Sequence, residues 1–162
     1  MLIKRVVINA SPLIVLFKSQ QADLLPQLFS EIIVPVGVWD EVTGTAQNDA
    51  ASRQLSKVTW AQRVEIGEIP QEVAAWDLGK GESEVLSLAL NDSNLAAIVD
   101  DRAARRCCQA LSILTIGTGR LIILAKQRGL IDSVSPRIQA LQDAGLWLSD
   151  NLVNLLKQQA GE

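Results

Sequence analysis

Leu2-Ile3-Lys4-Arg5-Val6-Val7-Ile8 is a short apolar run rich in β-branched residues, and Asn9-Ala10-Ser11-Pro12 follows it at once. β-Branched side chains suit the pleated surface of a strand. Ser11 suits the capping position of a helix, and Pro12 its first helical position, where a missing N–H removes no hydrogen bond. The stretch therefore reads as a strand that feeds directly into a helix, with Leu13, Ile14, Leu16 and Phe17 as the helix's apolar residues.

The same alternation recurs along the chain. A short helix is expected over Asp23 to Phe29, a strand at Ile32-Ile33-Val34 ended by Pro35, and a helix beyond it with Val38, Trp39 and Val42 on one face. Between Thr43 and about Gly81 the pattern blurs, because Gln47 to Lys57 is polar and Val58 to Ile69 fits either an edge strand or a loop. Order returns with a helix over Glu82 to Leu90, a buried-type strand over Leu95 to Val99, a helix over Arg102 to Ala110 and a strand over Ile113 to Ile116. Thr118 is expected to cap a helix that runs to Arg128, with Gly129 just past its end, and two more helices follow Pro136 and Ser149. Strands alternating with helices over connections this long imply right-handed crossovers and a mainly parallel sheet covered on both sides, an α/β fold. Residues 1–162 read as one domain, with C-terminal helices from about 136, because no repeat, low-complexity tract or linker divides them.

The composition narrows the function. Hydrophobic residues make up 48% of the 162 and charged ones 20%, a globular balance. No apolar run reaches the roughly 20 residues of a membrane span, and Met1-Leu2-Ile3-Lys4-Arg5 lacks the apolar stretch of a signal peptide, so the expected location is cytoplasmic. Cys107 and Cys108 are neighbours outside any CxxC pair, which leaves buried thiols as the simple reading. The chain has no His, which removes imidazole bases, His-ligated metals and every Ser-His or Cys-His triad. Catalysis, if present, must run on carboxylates, Lys, Ser/Thr or a metal ion. A net charge of −3 is unusual for a nucleic-acid binder, but a metal-dependent nuclease needs an acidic site to hold the cation that meets the phosphate.

In parallel sheets function gathers at the carboxyl ends of strands, and oxygen-bearing side chains fall there. Asn9 closes the first strand, Asp100 and Asp101 close the strand over Leu95 to Val99, and Glu41 and Glu82 lie on helices beside them. Such a set can supply the oxygen ligands that Mg²⁺ or Mn²⁺ requires. A single surface Glu is ordinarily a solvated charge, whereas adjacent Asp100 and Asp101 raise each other's proton affinity unless a cation neutralises them.

Several segments together resemble the PIN-domain family. They are Val7-Ile8-Asn9-Ala10-Ser11-Pro12-Leu13-Ile14, Val34-Pro35 leading to Trp39-Asp40-Glu41-Val42, Gly81-Glu82-Ser83-Glu84, Val99-Asp100-Asp101-Arg102-Ala103-Ala104-Arg105 and Ile116-Gly117-Thr118. More narrowly they resemble an uncharacterised PIN-like branch related to toxin-antitoxin ribonucleases. The resemblance implies a three-layer α/β/α sandwich around a mainly parallel sheet, Mg²⁺- or Mn²⁺-dependent ribonuclease activity on RNA and, in many members, an antitoxin partner. It also implies site residues. Asn9 stands where the family's first acid belongs, and Glu41 matches the second. Glu82 is selected over Glu84 for the third because the family's acid commonly precedes an Ala by seven residues, here Ala89; Glu84 is then expected to face solvent. Asp100 and Asp101 both cover the fourth position. Many nuclease members have Asp where Asn9 offers only a neutral oxygen, so a PIN module that binds RNA or protein without cutting is the alternative expectation.

Arg102, Arg105 and Arg106 follow the acids and can grip RNA phosphates bidentately, with ion pairing to nearby acids as the competing reading. Gly117-Thr118-Gly119 is too short for a phosphate-binding glycine loop, which leaves a turn and cap. Trp39, Trp60, Trp76 and Trp147 are scattered and read as core or interface anchors rather than base-stacking platforms. The four Trp and the apolar segment Leu146, Trp147, Leu148, Leu152, Val153, Leu155 and Leu156 raise the expectation of a homodimer.

Overall fold

The computed structural model describes residues 2–44 and 48–162. Five strands form one parallel sheet: β1 (Arg5–Ile8), β2 (Glu31–Pro35), β3 (Ala61–Val64), β4 (Leu95–Ile98) and β5 (Thr115–Ile116), in the order β3-β2-β1-β4-β5. Among the described residues ten α-helices surround it: α1 (Ala10–Lys18), α2 (Leu24–Leu28), α3 (Val36–Thr43), α4 (Ala50–Gln54), α5 (Gln71–Ala74), α6 (Lys80–Leu90), α7 (Arg102–Ala110), α8 (Thr118–Gln127), α9 (Ser135–Asp143) and α10 (Asp150–Gln159). The result is the expected α/β sandwich with a parallel sheet.

Successive strand residues point to opposite faces, so two fully buried neighbours mean that both faces are covered. Val6, Val7 and Ile8 of β1 and Ala96, Ala97 and Ile98 of β4 are all fully buried. At the edge, β3 exposes Gln62 and Arg63, polar residues that blunt an unpaired strand. The ambiguous stretch from Val58 to Ile69 thus contains an edge strand, paired in parallel to β2 from Ile32↔Ala61 to Pro35↔Val64. Gln47, where the polar run begins, lies outside the described residues. Farther along that run, Asp49 starts α4 by accepting the Ser52 N–H at 2.9 Å.

Two helix starts differ from the sequence reading. Asn9, not Ser11, precedes α1, with extended backbone (φ −80°, ψ 167°), and its carbonyl already accepts the Leu13 N–H. Pro12 becomes the third helical residue, still within the turn whose N–H groups have no intrahelical partner. Thr118 is the first residue of α8 and Gly117 its cap. Gly129 does sit past the end of that helix with φ +74°, the left-handed conformation that a side chain would resist.

At the far end of α10, the Glu162 carboxylate gathers the Lys126 ammonium, the Val134 N–H and the hydroxyls of Ser133 and Ser135, tying that segment to α8 and α9. These bonds hold its pKa well below the ordinary carboxylate range, the Lys126 bond contributing most. Among the described residues no helix is long and apolar enough to cross a membrane.

The strand order creates the place where chemistry can gather. From β1 the chain moves to β2 and β3 on one side, then returns to β4 on the other. Connections that leave in opposite directions open a crevice at the carboxyl ends of β1 and β4.

Candidate functional site

Asn9 extends the β1–β4 ladder by one bond, its N–H donating to the Ile98 carbonyl at 3.1 Å. This puts it beside the segment Val99-Asp100-Asp101 at the crevice. Asn9 is buried and occupies a cap position, yet its side chain makes no capping hydrogen bond. By contrast Asp101, the cap of α7, accepts the Ala104 N–H at 3.0 Å.

The two neighbouring aspartates have different surroundings. Asp100 Oδ1 accepts the Thr118 N–H at 2.8 Å and its Oδ2 accepts the Thr118 hydroxyl at 2.5 Å. Both its oxygens therefore fasten the start of α8, and Thr118 is fully buried beneath that contact. Asp101 is exposed and faces Glu82, as the mutual influence of their charges records.

Glu82 lies in the first turn of α6, half-buried. Its carboxyl is raised above the ordinary range first by burial, then by the negative charges of Asp101 and Glu41 and by a hydrogen bond shared with Asp101. Glu41 arrives from α3, which crosses α6 closely at Gly81: a Cβ there would come to 3.2 Å from Val38 Cγ2 and 3.7 Å from Glu41 Oε1. Gly81 thus lets α3 approach, and the approach brings Glu41 to Glu82. Glu82 thus feels the charges of Asp101 and Glu41, while Asp100 is committed to Thr118.

Glu84 departs from expectation. It is 6% exposed instead of facing solvent, and its Oε1 accepts the Gly37 N–H at 2.9 Å. Gly37 is the second residue of α3, so this carboxylate sits at a helix N-terminus, where the helix dipole favours negative charge. Residues two apart on a helix do point to different sides. The side opposite Glu82, however, is covered by α3 rather than by water. Gly37 permits the contact, because a Cβ there would lie 2.5 Å from Glu84 Oε2.

Arg102, Arg105 and Arg106 are exposed on α7, and among the described residues none makes an ion pair, against the competing sequence reading. Arg105 Nη1 donates to the Val99 carbonyl at 3.2 Å, beside Gly117, where a Cβ would meet that nitrogen at 3.1 Å. Cys107 and Cys108 are free and fully buried; burial pushes the Cys108 thiol up to about 12, where it is inert.

The sequence reading missed the Asp100–Thr118 pair and the Glu84–Gly37 contact. The first had a faint signal, a Thr at a helix start opposite a strand-end acid; the second had none.

Among the described residues no group of three or more acidic or Cys side chains is arranged to hold a metal ion. The donor chemistry nonetheless fits a hard cation: every candidate atom is oxygen, and Glu82 faces like charges with no positive group among the causes of its shift. Mg²⁺ commonly takes only one or two carboxylates and completes its shell with water and substrate phosphate, so a closed protein cage is not required.

A family model described as a PIN domain matches residues 5–162. No curated protein and no solved structure matches the chain.

Proposed function

The chain belongs to the PIN-domain family, a nuclease-type fold, and from that premise we propose that it is a divalent-metal-dependent endoribonuclease, the toxin of a toxin-antitoxin pair. The observation that carries the reading is Glu82, half-buried at the crevice and raised by Asp101 and Glu41. A carboxylate raised by burial and by like charges in a cleft marks candidate chemistry.

In this proposal Glu82 and Asp101 hold the ion, with Glu41 and Asn9 beside them. Bound Mg²⁺ or Mn²⁺ would supply charge neutralisation at the phosphodiester and a lowered pKa for the attacking water. The chain's own residues do the rest. Asp100 keeps the start of α8 against the crevice through Thr118, a positioning role. Arg102 and Arg105, unpaired with acids, hold phosphates of the RNA strand. With no His in the chain, proton movement falls to Glu82, Asp101 and water.

An antitoxin in this scheme covers the acidic crevice. A second copy of the chain covers Trp147, 82% exposed, with Leu152 and Leu155, giving a homodimer whose mass light scattering would register. The alternative, a PIN module that binds RNA without cutting, is favoured by the neutral Asn9. The decisive experiment incubates unstructured RNA with the protein in Mn²⁺ and in chelator, with binding measured in parallel. Cleavage in Mn²⁺ alone supports the nuclease; binding without cleavage in either supports the alternative.

A further inference from the structure

A cavity of about 530 Å³ opens at the carboxyl ends of β2 and β3. That volume lies within the roughly 300–1,000 Å³ usual for small-ligand pockets. Lys80, Ser83 and Glu84 of α6 line it. Positions i, i+3 and i+4 share one face of a helix, while Glu82, between them in sequence, belongs to the acid cluster. One short helical segment thus serves both features.

The polar groups around this cavity are sorted by type. Glu84 is more than nine-tenths buried, and only its Oε1 is used, by the Gly37 N–H. Its Oε2 has no hydrogen-bond partner among the described residues. Glu65 adds a second carboxylate, and Lys80 a cation that pairs with neither. Val36, Ile66 and Ile69 supply apolar wall. Two acceptors, one donor and apolar sides match a planar ring with two adjacent N–H groups on one edge and acceptors on another. Guanine has that pattern: its N1–H and N2–H₂ suit carboxylates, and its O6 and N7 suit Lys. Uracil instead flanks its single N–H with carbonyl oxygens, which carboxylates repel. Splayed single-stranded bases are read in this way.

We propose that this cavity is a base subsite that takes an unpaired guanine of the RNA strand. It deepens the nuclease reading and rests on it. Glu84 Oε2 and Glu65 accept from the Watson–Crick edge, and Lys80 donates to O6 or N7.

The test uses metal-free protein and mononucleotides, so binding is read apart from cleavage. Titration followed by NMR is expected to give GMP an affinity about tenfold above UMP, as one good base contact provides. Gly67 lines the cavity, has no heavy atom within 4 Å of an added Cβ and needs no unusual φ, so Gly67→Trp adds an indole at the cavity wall without strain. That variant is expected to lose GMP binding while melting with the wild type. Glu84→Gln keeps an oxygen for Gly37 but turns an acceptor into a donor, which should erase the GMP preference. Should Glu84→Gln melt early, Glu65→Gln at an exposed position is expected to lower the same preference. Equal GMP and UMP affinities in the wild type, or unchanged GMP binding in folded Gly67→Trp, would overturn the subsite. RNA that is never cut while GMP preference persists would count against the nuclease and not against this pocket.

Discussion

The two ends of the sheet carry similar charges in opposite arrangements. At the amino end, Arg5 reaches Glu31 at 2.7 Å and Asp92 at 2.6 Å, joining the starts of β1 and β2 with the turn before β4. The Arg5 bond and the Asn94 N–H hold the Asp92 carboxyl below its ordinary range, and the guanidinium is itself raised. At the carboxyl end, Glu82 meets Asp101 and Glu41, and its carboxyl is raised instead. A cluster whose acids meet its own cation, as Asp92 and Glu31 meet Arg5, is satisfied within the fold. One that raises the pKa has no cation of its own to offset its like charges.

The contrast breaks most visibly at Glu82. Glu82→Gln is expected to reduce Mn²⁺-dependent RNA cleavage at least about 100-fold, a loss of ~2.7 kcal/mol in transition-state stabilisation. Without metal the variant should melt no earlier than the wild type, since it loses like-charge repulsion while the Gln amide can still donate a hydrogen bond to Asp101. Initial rates and thermal melts check both; a fully active variant removes Glu82 from the site.

Glu84 sharpens the comparison, because it is a carboxylate at the carboxyl end whose Oε1 is taken up by a donor of the fold, the Gly37 N–H. Gly37→Ala would drive a Cβ into Glu84 Oε2, and the expected cost is about 1–3 kcal/mol in urea denaturation, typical of overpacking. A neutral result would mean that Glu84 can leave the α3 terminus freely.

Asn9→Asp adds charge where charge is already uncompensated. The variant is expected to melt earlier in chelator, and to gain more than the wild type on adding Mn²⁺, because a ligand that binds the native state stabilises it by mass action. Equal metal-induced shifts in the two proteins would place Asn9 away from the ion.

Arg5→Met should cost about 1 kcal/mol, since the groups it joins are about one-third exposed and partly screened, and it should leave cleavage unchanged. Urea midpoints and cleavage rates together test whether the amino end is purely structural.

The smallest effect is in the pH dependence of stability, measured in chelator. Asp92 has a lowered folded pKa, so its contribution is present above the ordinary carboxylate range and is lost as pH falls through the lowered value. Glu82 has a raised one, so its contribution is greatest below the ordinary range and is lost as pH rises through the raised value. The stability of Glu82→Gln relative to wild type should therefore increase with pH across that upper window. A difference that stays flat with pH would contradict the raised carboxyl.

By itself the sequence determined the alternation of strand and helix, the parallel sheet and the strand-end placement of Asn9, Asp100 and Asp101. These are local matters: hydrophobic period, β-branching and turn chemistry act over a few residues. Even the family resemblance rests on short motifs. Only the tertiary structure decided what each carboxylate faces. Asp100 meets Thr118 across 18 residues of chain, and Glu84 meets Gly37 across 47. Helical period puts Glu82 and Glu84 on different sides of α6, but which side is water depends on where α3 packs, and that depends on two glycines whose missing side chains let the helices close. No pattern within α6 carries that information, so a carboxylate read from sequence as a solvated surface charge is a buried helix cap.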